Sequence, residues 1–423
     1  MGHFLAMLRE IFAQAWTALR TNPLRSFLTM LGITWGLASV TLLISYGNGF
    51  RGVINGGFEA FGKSAIIARG GQTSMQAGGE RSGRRIFFDH SDIDAIRQEA
   101  NLIHAASFEV LNRLPLRYRD QSAVNCIRGV MPEFGEIRNE VPLEGRWLSA
   151  DDELTARHVA FLGSKTKNKF FGGRIAVGEP IRIAGQSFTV VGEMETKFQL
   201  SNYFSPDDQC VFIPFSTAAQ LWDTEHPNIM VFSPIAPRFE RGAIVQFREI
   251  MARRHRFSPK DIRAVNAFGR EEVRPIIDGI TIGLQALLLF IGILTLAIGG
   301  IGLMNIMLVS VEERVREIGI RRALGAKRWH IRFQFLAEAL VITLAGGIVG
   351  MGLSYVVAQM VGTIPMLGAL FEDESGKGDL HLAVSWQTLA VSAVALMLVG
   401  LASGTVPAVR ASRLDPVEAL RHE

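Results

Sequence analysis

The chain has 423 residues, of which 48% are hydrophobic and only 20% charged, and its mean hydropathy is positive. These values suit a membrane protein that also carries a soluble domain. The formal net charge of +4 calls for no nucleic-acid partner, because many of the basic residues mark one face of a membrane.

Residues 1–25 place Phe4, Leu5, Leu8, Ile11, Phe12, Ala15, Trp16 and Leu19 at helical spacing, with Arg9, Glu10 and Arg20 off the stripe. This predicts an amphipathic cytoplasmic helix, either lying on the inner membrane surface or packed on the bundle. Ser26–Phe50 follows without Asp, Glu, Lys or Arg. It is longer than the apolar core of a cleaved signal peptide, roughly 7–15 residues, so it is read as transmembrane helix 1.

Residues 51–278 are about 230 residues, enough for one large or two small domains. Gly70-Gly71 and Gly78-Gly79 mark turns. Asp89-His90-Ser91-Asp92 then caps a helix through Ile93, Ile96 and Ala100. Strands are expected at Leu116–Tyr118 and Val124–Val130, at Ile181–Ile183 and Phe188–Val191 around Ala184-Gly185-Gln186-Ser187, and at Val211–Ile213 before Pro214. Ala243–Arg254 reads as a helix. The domain is therefore expected to be α+β. Cys126 and Cys210, the two cysteines of the chain, both fall here. An oxidising compartment permits a disulfide between them; the alternative is two unpaired small hydrophobes on buried strands.

Two motifs in this region are refused. Gly57-Phe58-Glu59-Ala60-Phe61-Gly62-Lys63-Ser64 matches the P-loop pattern letter for letter. It follows a membrane span instead of a buried strand, and no apolar strand ending in Asp follows to hold magnesium. Ser164-Lys165-Thr166-Lys167 matches the SxxK pattern of acylating serine enzymes, but its partner motifs SDN and KTG are missing; a solvated loop is expected. The nine histidines are scattered, with no paired metal-ligand spacing. No catalytic residue, metal site or cofactor is expected.

Gly279–Val311 is transmembrane helix 2. Its 33 uncharged residues measure about 50 Å as a helix, long enough to form a stalk as well as a span. The segment 312–338 is basic, with Arg314, Arg316, Arg321, Arg322, Lys327, Arg328 and Arg332. It reads as a short charged helix broken at Gly319 and Gly325. Orientation needs only the arginines. The added apolar residues Ile318, Ala323 and Leu324 point to a surface that a partner grips. Glu338 is expected to pair with Arg332.

Ala339–Phe371 is transmembrane helix 3, with Gly362, Pro365 and Gly368 expected to end it early. Leu382–Val409 is transmembrane helix 4, and residues 410–423 form a tail carrying Arg410, Arg413 and Arg421. The loop between the last two spans is acidic instead, with Glu372, Asp373, Glu374 and Asp379. The asymmetry places both termini in the cytoplasm and residues 51–278 outside. The expected fold class is an α+β membrane protein, with four transmembrane helices and a large extracytoplasmic domain between helices 1 and 2.

Asn22-Pro23-Leu24-Arg25-Ser26 followed by Leu28-Thr29-Met30-Leu31-Gly32-Ile33 resembles the entry into the first span of the MacB/FtsX-type permeases of ABC transporters. Val311–Lys327 is similar to their cytoplasmic coupling segment. Pro407-Ala408-Val409-Arg410-Ala411-Ser412 and Asp415-Pro416-Val417-Glu418-Ala419-Leu420-Arg421 are similar to their C-terminal signature. Arg128-Gly129-Val130, Glu144-Gly145-Arg146-Trp147 and Phe188-Thr189-Val190-Val191-Gly192 match in the expected order. The resemblance covers almost the whole chain.

The resemblance implies a non-enzymatic permease of the bacterial inner membrane that pairs with a second copy or a paralogue. Cytoplasmic ATPase subunits would drive movement of the external domain, a process called mechanotransmission. Because the chain begins about 25 residues before its first span, a separate ATPase polypeptide is expected. The implied ATPase-coupling residues are Arg316, Glu317, Ile318, Gly319, Arg321, Arg322, Ala323, Leu324, Gly325 and Lys327. The implied outputs are efflux of antibiotics, peptides or other macromolecules through a periplasmic adaptor and outer-membrane duct, or lipoprotein release, or control of cell-wall hydrolases. A membrane-anchored enzyme would need a catalytic constellation, and a transmembrane sensor would need a cytoplasmic signalling domain.

Overall fold

The computed structural model describes residues 23–60, 62, 64–199, 203–370 and 376–421. The amphipathic stripe from Phe4 to Leu19 lies outside them. The chain divides into a helical unit, Met1–Gly52, Gly279–Ile364 and Leu380–Glu423, and a sheet unit, Val53–Asp278 and Pro365–Asp379. In chain order the principal helices are α1 (Pro23–Ala60), α2 (His90–Glu99), α3 (Phe134–Arg138), α4 (Ser164–Phe171), α5 (Glu240–His255), α6 (Arg270–Glu313), α7 (Val315–Ala323), α8 (Arg328–Val361), α9 (Trp386–Ser412) and α10 (Pro416–Arg421).

Among the described residues, four helices are long and apolar enough to cross a membrane, over Met30–Gly57, Arg274–Glu313, Arg328–Val361 and Trp386–Ser412. Lipid tails are as apolar as leucine, so such helices associate through close backbone approach and polar contacts. Both devices are present. A Cβ on Gly299 would lie 2.9 Å from Gly32 O, and one on Gly404 would lie 2.7 Å from Ala339 Cβ. Thr34 Oγ1 donates to Gly346 O at 3.0 Å, and Thr41 Oγ1 to Ser392 Oγ at 3.1 Å. Ile33, Leu37, Leu296, Ile342 and Leu396 fill the core between these contacts. The third membrane helix stops at Val361, where Gly362 takes φ +61° and its N–H bonds back to Ala358 O. Residues 365–379 belong to the sheet unit, where Lys377 Nζ meets Glu195 Oε1 at 3.0 Å and Thr196 O at 3.1 Å.

The sheet unit is built on a ten-stranded mixed sheet. Its strands are β1 (Ile66–Gly70), β2 (Ile103–Tyr118), β3 (Gln121–Val130), β4 (Pro142–Gly145), β5 (Val159–Leu162), β6 (Pro180–Ile183), β7 (Gln186–Met194), β8 (Cys210–Pro214), β9 (Ile229–Pro234) and β10 (Val265–Phe268). The order is β10-β1-β9-β2-β3-β8-β5-β7-β4, with β6 bridging β2 and β7. Central strands are apolar on both faces. Val211 and Ile213 enter one cluster, with Phe88, Phe108, Phe232 and Phe247, while Cys210 and Phe212 enter another, with Phe134 and Phe161. Alternation sends successive side chains to opposite faces, so an unbroken apolar run marks a strand covered on both sides.

The Asp89 cap and the Ala184-Gly185 turn have clear local causes. Asp89 accepts from the Ser91 N–H, and its own N–H donates to Asp92 Oδ2 at 2.9 Å. Ala184 and Gly185 take φ 50° and 88°, as a two-residue hairpin turn with positive φ at both positions requires. β2 extends thirteen residues upstream of the expected Leu116–Tyr118. Its polar residues interrupt the apolar pattern, but pairing with β3, β9 and β6 holds it extended.

Candidate coupling surface and the buried charges of the sheet unit

α7 is a continuous helix through Gly319, which the sequence reading took as a break. Its end is set at Gly325, which takes φ +94°. The Gly325 N–H donates to Arg322 O at 3.1 Å and the Ala326 N–H to Arg321 O at 3.0 Å. These are the paired bonds of a Schellman motif, and they require the left-handed residue that glycine supplies.

The expected stripe of Ile318, Ala323 and Leu324 does not lie on one face. Ile318 is 3% exposed and packs in the helical core with Met307, Val311 and Ile331, whereas Leu324 is 83% exposed. Six residues at about 100° each put these two side chains on different faces. Ile320, four residues before Leu324, shares its face and is exposed. Arg316, Glu317, Ala323, Gly325 and Lys327 are exposed as well, and Gly319 is buried. The sequence reading of the segment omits Ile320, although its i, i+4 spacing to Leu324 identifies it. Trp329, at the start of α8, is a further exposed apolar residue beside the segment.

The arginines of this region do more than mark a membrane face. Arg321 donates to Gln334 Oε1 at 2.9 Å and to Glu317 Oε1 at 2.7 Å. Arg332 donates to Ser412 Oγ at 2.9 Å. Glu338 pairs with Arg314 at 3.3 Å instead of with Arg332. Arg332 precedes Glu338 by six residues on the same helix and so projects from another face.

The sheet unit buries a charge network. Arg128 lies 2.8 Å from Glu109 and 3.1 Å from Asp207, and Arg138 lies 2.7 Å from Asp207. Lys197 bridges Glu140 at 2.9 Å and Asp207 at 3.0 Å. Tyr203 donates to Glu109. Burial alone would raise the Asp207 carboxyl, but Arg138, Lys197 and Arg128 outweigh it and hold it well below the usual carboxylate range. Burial pushes Glu140 up to about 8, with Lys197 offsetting part of the effect.

Cys126 and Cys210 are register partners on parallel strands β3 and β8, both buried and both free thiols. Arg128 Nε donates to Cys210 Sγ at 3.3 Å. Burial pushes the Cys210 thiol well up, while the hydrogen bond to Cys210 lowers Cys126.

The run Glu144-Gly145-Arg146-Trp147 has a structural role. Gly145 takes φ +77°, and a Cβ there would lie 2.2 Å from Val191 O. Arg146 binds Asp152 through two bonds of 2.5 and 3.0 Å, and Trp147 Nε1 donates to Pro132 O at 2.9 Å.

The refused motifs also have structural roles. Ser164 starts α4 instead of a loop, and its lysines pair with Asp208 and Glu193 at 3.1 and 3.2 Å. Gly57–Ala60 lies at the end of α1 and strand β1 follows, the reverse of the strand-loop-helix order of a phosphate cradle. Lys63 lies outside the described residues. Asp89, Asp92 and His255 cluster closely enough to hold a metal ion. Arg254, 2.6 Å from Asp92, already supplies the positive charge there.

Residues 26–235 match the family model of the MacB-like periplasmic core domain, and residues 289–416 that of the FtsX-like permease C-terminal region. The macrolide export ATP-binding/permease protein MacB of Bdellovibrio bacteriovorus is 30% identical over 98% of this chain and 62% of its own length. The probable export ATP-binding/permease protein MacB of Pseudomonas entomophila is 32% identical over 99% of this chain and 60% of its own length. The chain therefore spans about three fifths of the length of these curated relatives. The periplasmic region of MacB from Actinobacillus actinomycetemcomitans aligns with a TM-score of 0.41 at 14% identity, covering 52% of this chain and 95% of that one. With both models matched in order along four apolar helices and the domain between the first two, the chain belongs to the MacB/FtsX-type permease family of ABC transporters.

Proposed function

We propose that this chain is the permease subunit of a MacB-type ABC transporter, placed in the bacterial inner membrane with both termini in the cytoplasm. ATP hydrolysis by a separate cytoplasmic ATPase drives movement of the periplasmic domain. The permease works as a pair, with a second copy or a paralogue. The output is export of antibiotics, peptides or other macromolecules, handed to a periplasmic adaptor and an outer-membrane duct. The names of the relatives support export, since both describe export ATP-binding/permease proteins.

One observation carries the coupling reading. Leu324 is 83% exposed at the capped end of α7, on the same face as Ile320 and flanked by Arg316 and Lys327. An ordered apolar pair ringed by charge suits the groove of a partner protein. Leu324 and Ile320 make the contact, Arg316 and Arg321 lie at its rim, and Ile318 and Gly319 hold the helix from within.

Leu324→Glu tests this reading. The segment stays basic, so insertion is unaffected, but a carboxylate is forced against an apolar groove. Membrane insertion should be normal, while ATPase co-purification and coupled hydrolysis are lost. Wild-type binding and hydrolysis by this variant would overturn the reading. Co-purification of native membranes in parallel identifies the ATPase and any adaptor.

A further inference from the structure

The C-terminal run Asp415–Arg421 has no role in the coupling contact described above. It folds as α10, where Asp415 Oδ1 accepts from the Val417 N–H at 2.9 Å and the Ala419 N–H donates to Asp415 O at 2.9 Å. Ala419 is 2% exposed, and its methyl group meets α7: a Cβ on Gly319 would lie 2.7 Å from Ala419 Cβ. Two Cβ atoms do not approach so closely, and an alanine methyl has no rotamer into which to retreat. Gly319 has helical geometry in mid-helix, where glycine weakens the helix relative to alanine. The cause of a glycine at this position is therefore α10, not its own backbone. The end of α9, from which α10 follows, is tied to α8 by the Arg332–Ser412 hydrogen bond of 2.9 Å.

We propose that α10 is a brace that sets the pose of the coupling helix, with Gly319 and Ala419 as positioning residues. The importance of this pose for transport rests on the coupling reading of α7. The brace makes α7 and the C-terminal signature one mechanical element, so force applied at Leu324 reaches both α6 and α9.

The test is a substitution cycle in the full-length chain, purified in lipid nanodiscs. Trypsin cleavage after Arg321 and Arg322 reads whether α7 is held. Helix propensity alone makes Gly319→Ala slower to cleave. The brace makes it faster, by roughly tenfold for one overpacked methyl group. Ala419→Gly added to Gly319→Ala removes the clash and should return cleavage to within about twofold of wild type. If Gly319→Ala does not accumulate in the membrane, recovery of accumulation in the double variant is the same test. Slower cleavage in Gly319→Ala, or no rescue in the double variant, overturns the proposal. Hydrolysis by the co-purifying ATPase should fall and recover in the same order. If cleavage follows the cycle but neither Gly319→Ala nor Leu324→Glu changes hydrolysis, the coupling reading fails and the brace stands. If Leu324→Glu uncouples but the double variant is not restored, the brace fails and the coupling reading stands.

Discussion

The Arg128 guanidinium lies 3.1 Å from the Asp207 carboxylate, and neither side chain has any exposed surface. Arg128 also holds Glu109 and the Ser205 carbonyl, so three segments of the sheet unit converge on one cation. Removing one partner of a buried pair leaves uncompensated charge and costs about 3–5 kcal/mol. Arg128→Met should therefore destabilise the sheet unit by that amount. Urea unfolding followed by tryptophan fluorescence measures it, and a loss under about 1 kcal/mol would show that the network contributes little.

Glu140 and Asp152 predict opposite limbs of a pH profile. Glu140 is raised from 4.5 to about 8, so the folded chain holds a proton that the unfolded chain sheds across that window. Its contribution is greatest below pH 4.5 and is lost as pH rises toward 8, with a slope of at most about 1.4 kcal/mol per unit. Asp152 is lowered from 3.8 to about 2: burial opposes the shift, and Arg146 and Ser149 outweigh it. Its contribution is full above 3.8 and lost as pH falls through about 2. Glu140→Gln should flatten the limb between pH 5 and 8 and leave the acid limb in place. Urea midpoints across pH would show this, and an unchanged upper limb would remove Glu140 from the account.

Cys126 and Cys210 should resist maleimide in the folded protein, because both are buried. Unfolding without reductant should expose two reactive thiols, as the structure has them. Registered parallel strands lie within the Cα separation a disulfide needs. Labelling that appears only after reduction would mean that an oxidising compartment closes this bridge.

Topology is read with a cysteine at Ser82, an exposed residue of the sheet unit. The charge asymmetry predicts labelling of Ser82→Cys by an impermeant maleimide on cells with only the outer membrane opened. Labelling that requires rupture of the inner membrane would reverse the orientation. The buried native cysteines keep the background low.

Leu324→Glu remains the direct test of coupling. It should leave the unfolding midpoint close to wild type, because Leu324 is 83% exposed. Loss of the ATPase together with a large fall in stability would mean that Leu324 holds the fold instead of a partner.

Much of this protein is legible in its sequence, because some causes are local. Uncharged runs of membrane length, the Asp89 cap, the Ala184-Gly185 turn and the left-handed stop at Gly325 each depend on a few neighbouring residues. The basic segment between the second and third apolar helices was equally visible as a segment. Its exposed face was not, since which side of α7 is covered depends on the residues packed against Ile318. Gly319 looked like a helix break because glycine commonly is one; only the approach of Ala419, 100 positions later, explains it. The same holds for Arg128, Glu109 and Asp207, which are distant in sequence and ordinary in composition. Sequence by itself marked the long apolar runs, the local turns and caps and the family resemblance, because composition, periodicity and backbone conformation act over short stretches of chain. Tertiary structure alone decided which residues face outward, which charges are buried together and why a glycine sits mid-helix, because those properties belong to pairs of segments that meet only when the chain has folded.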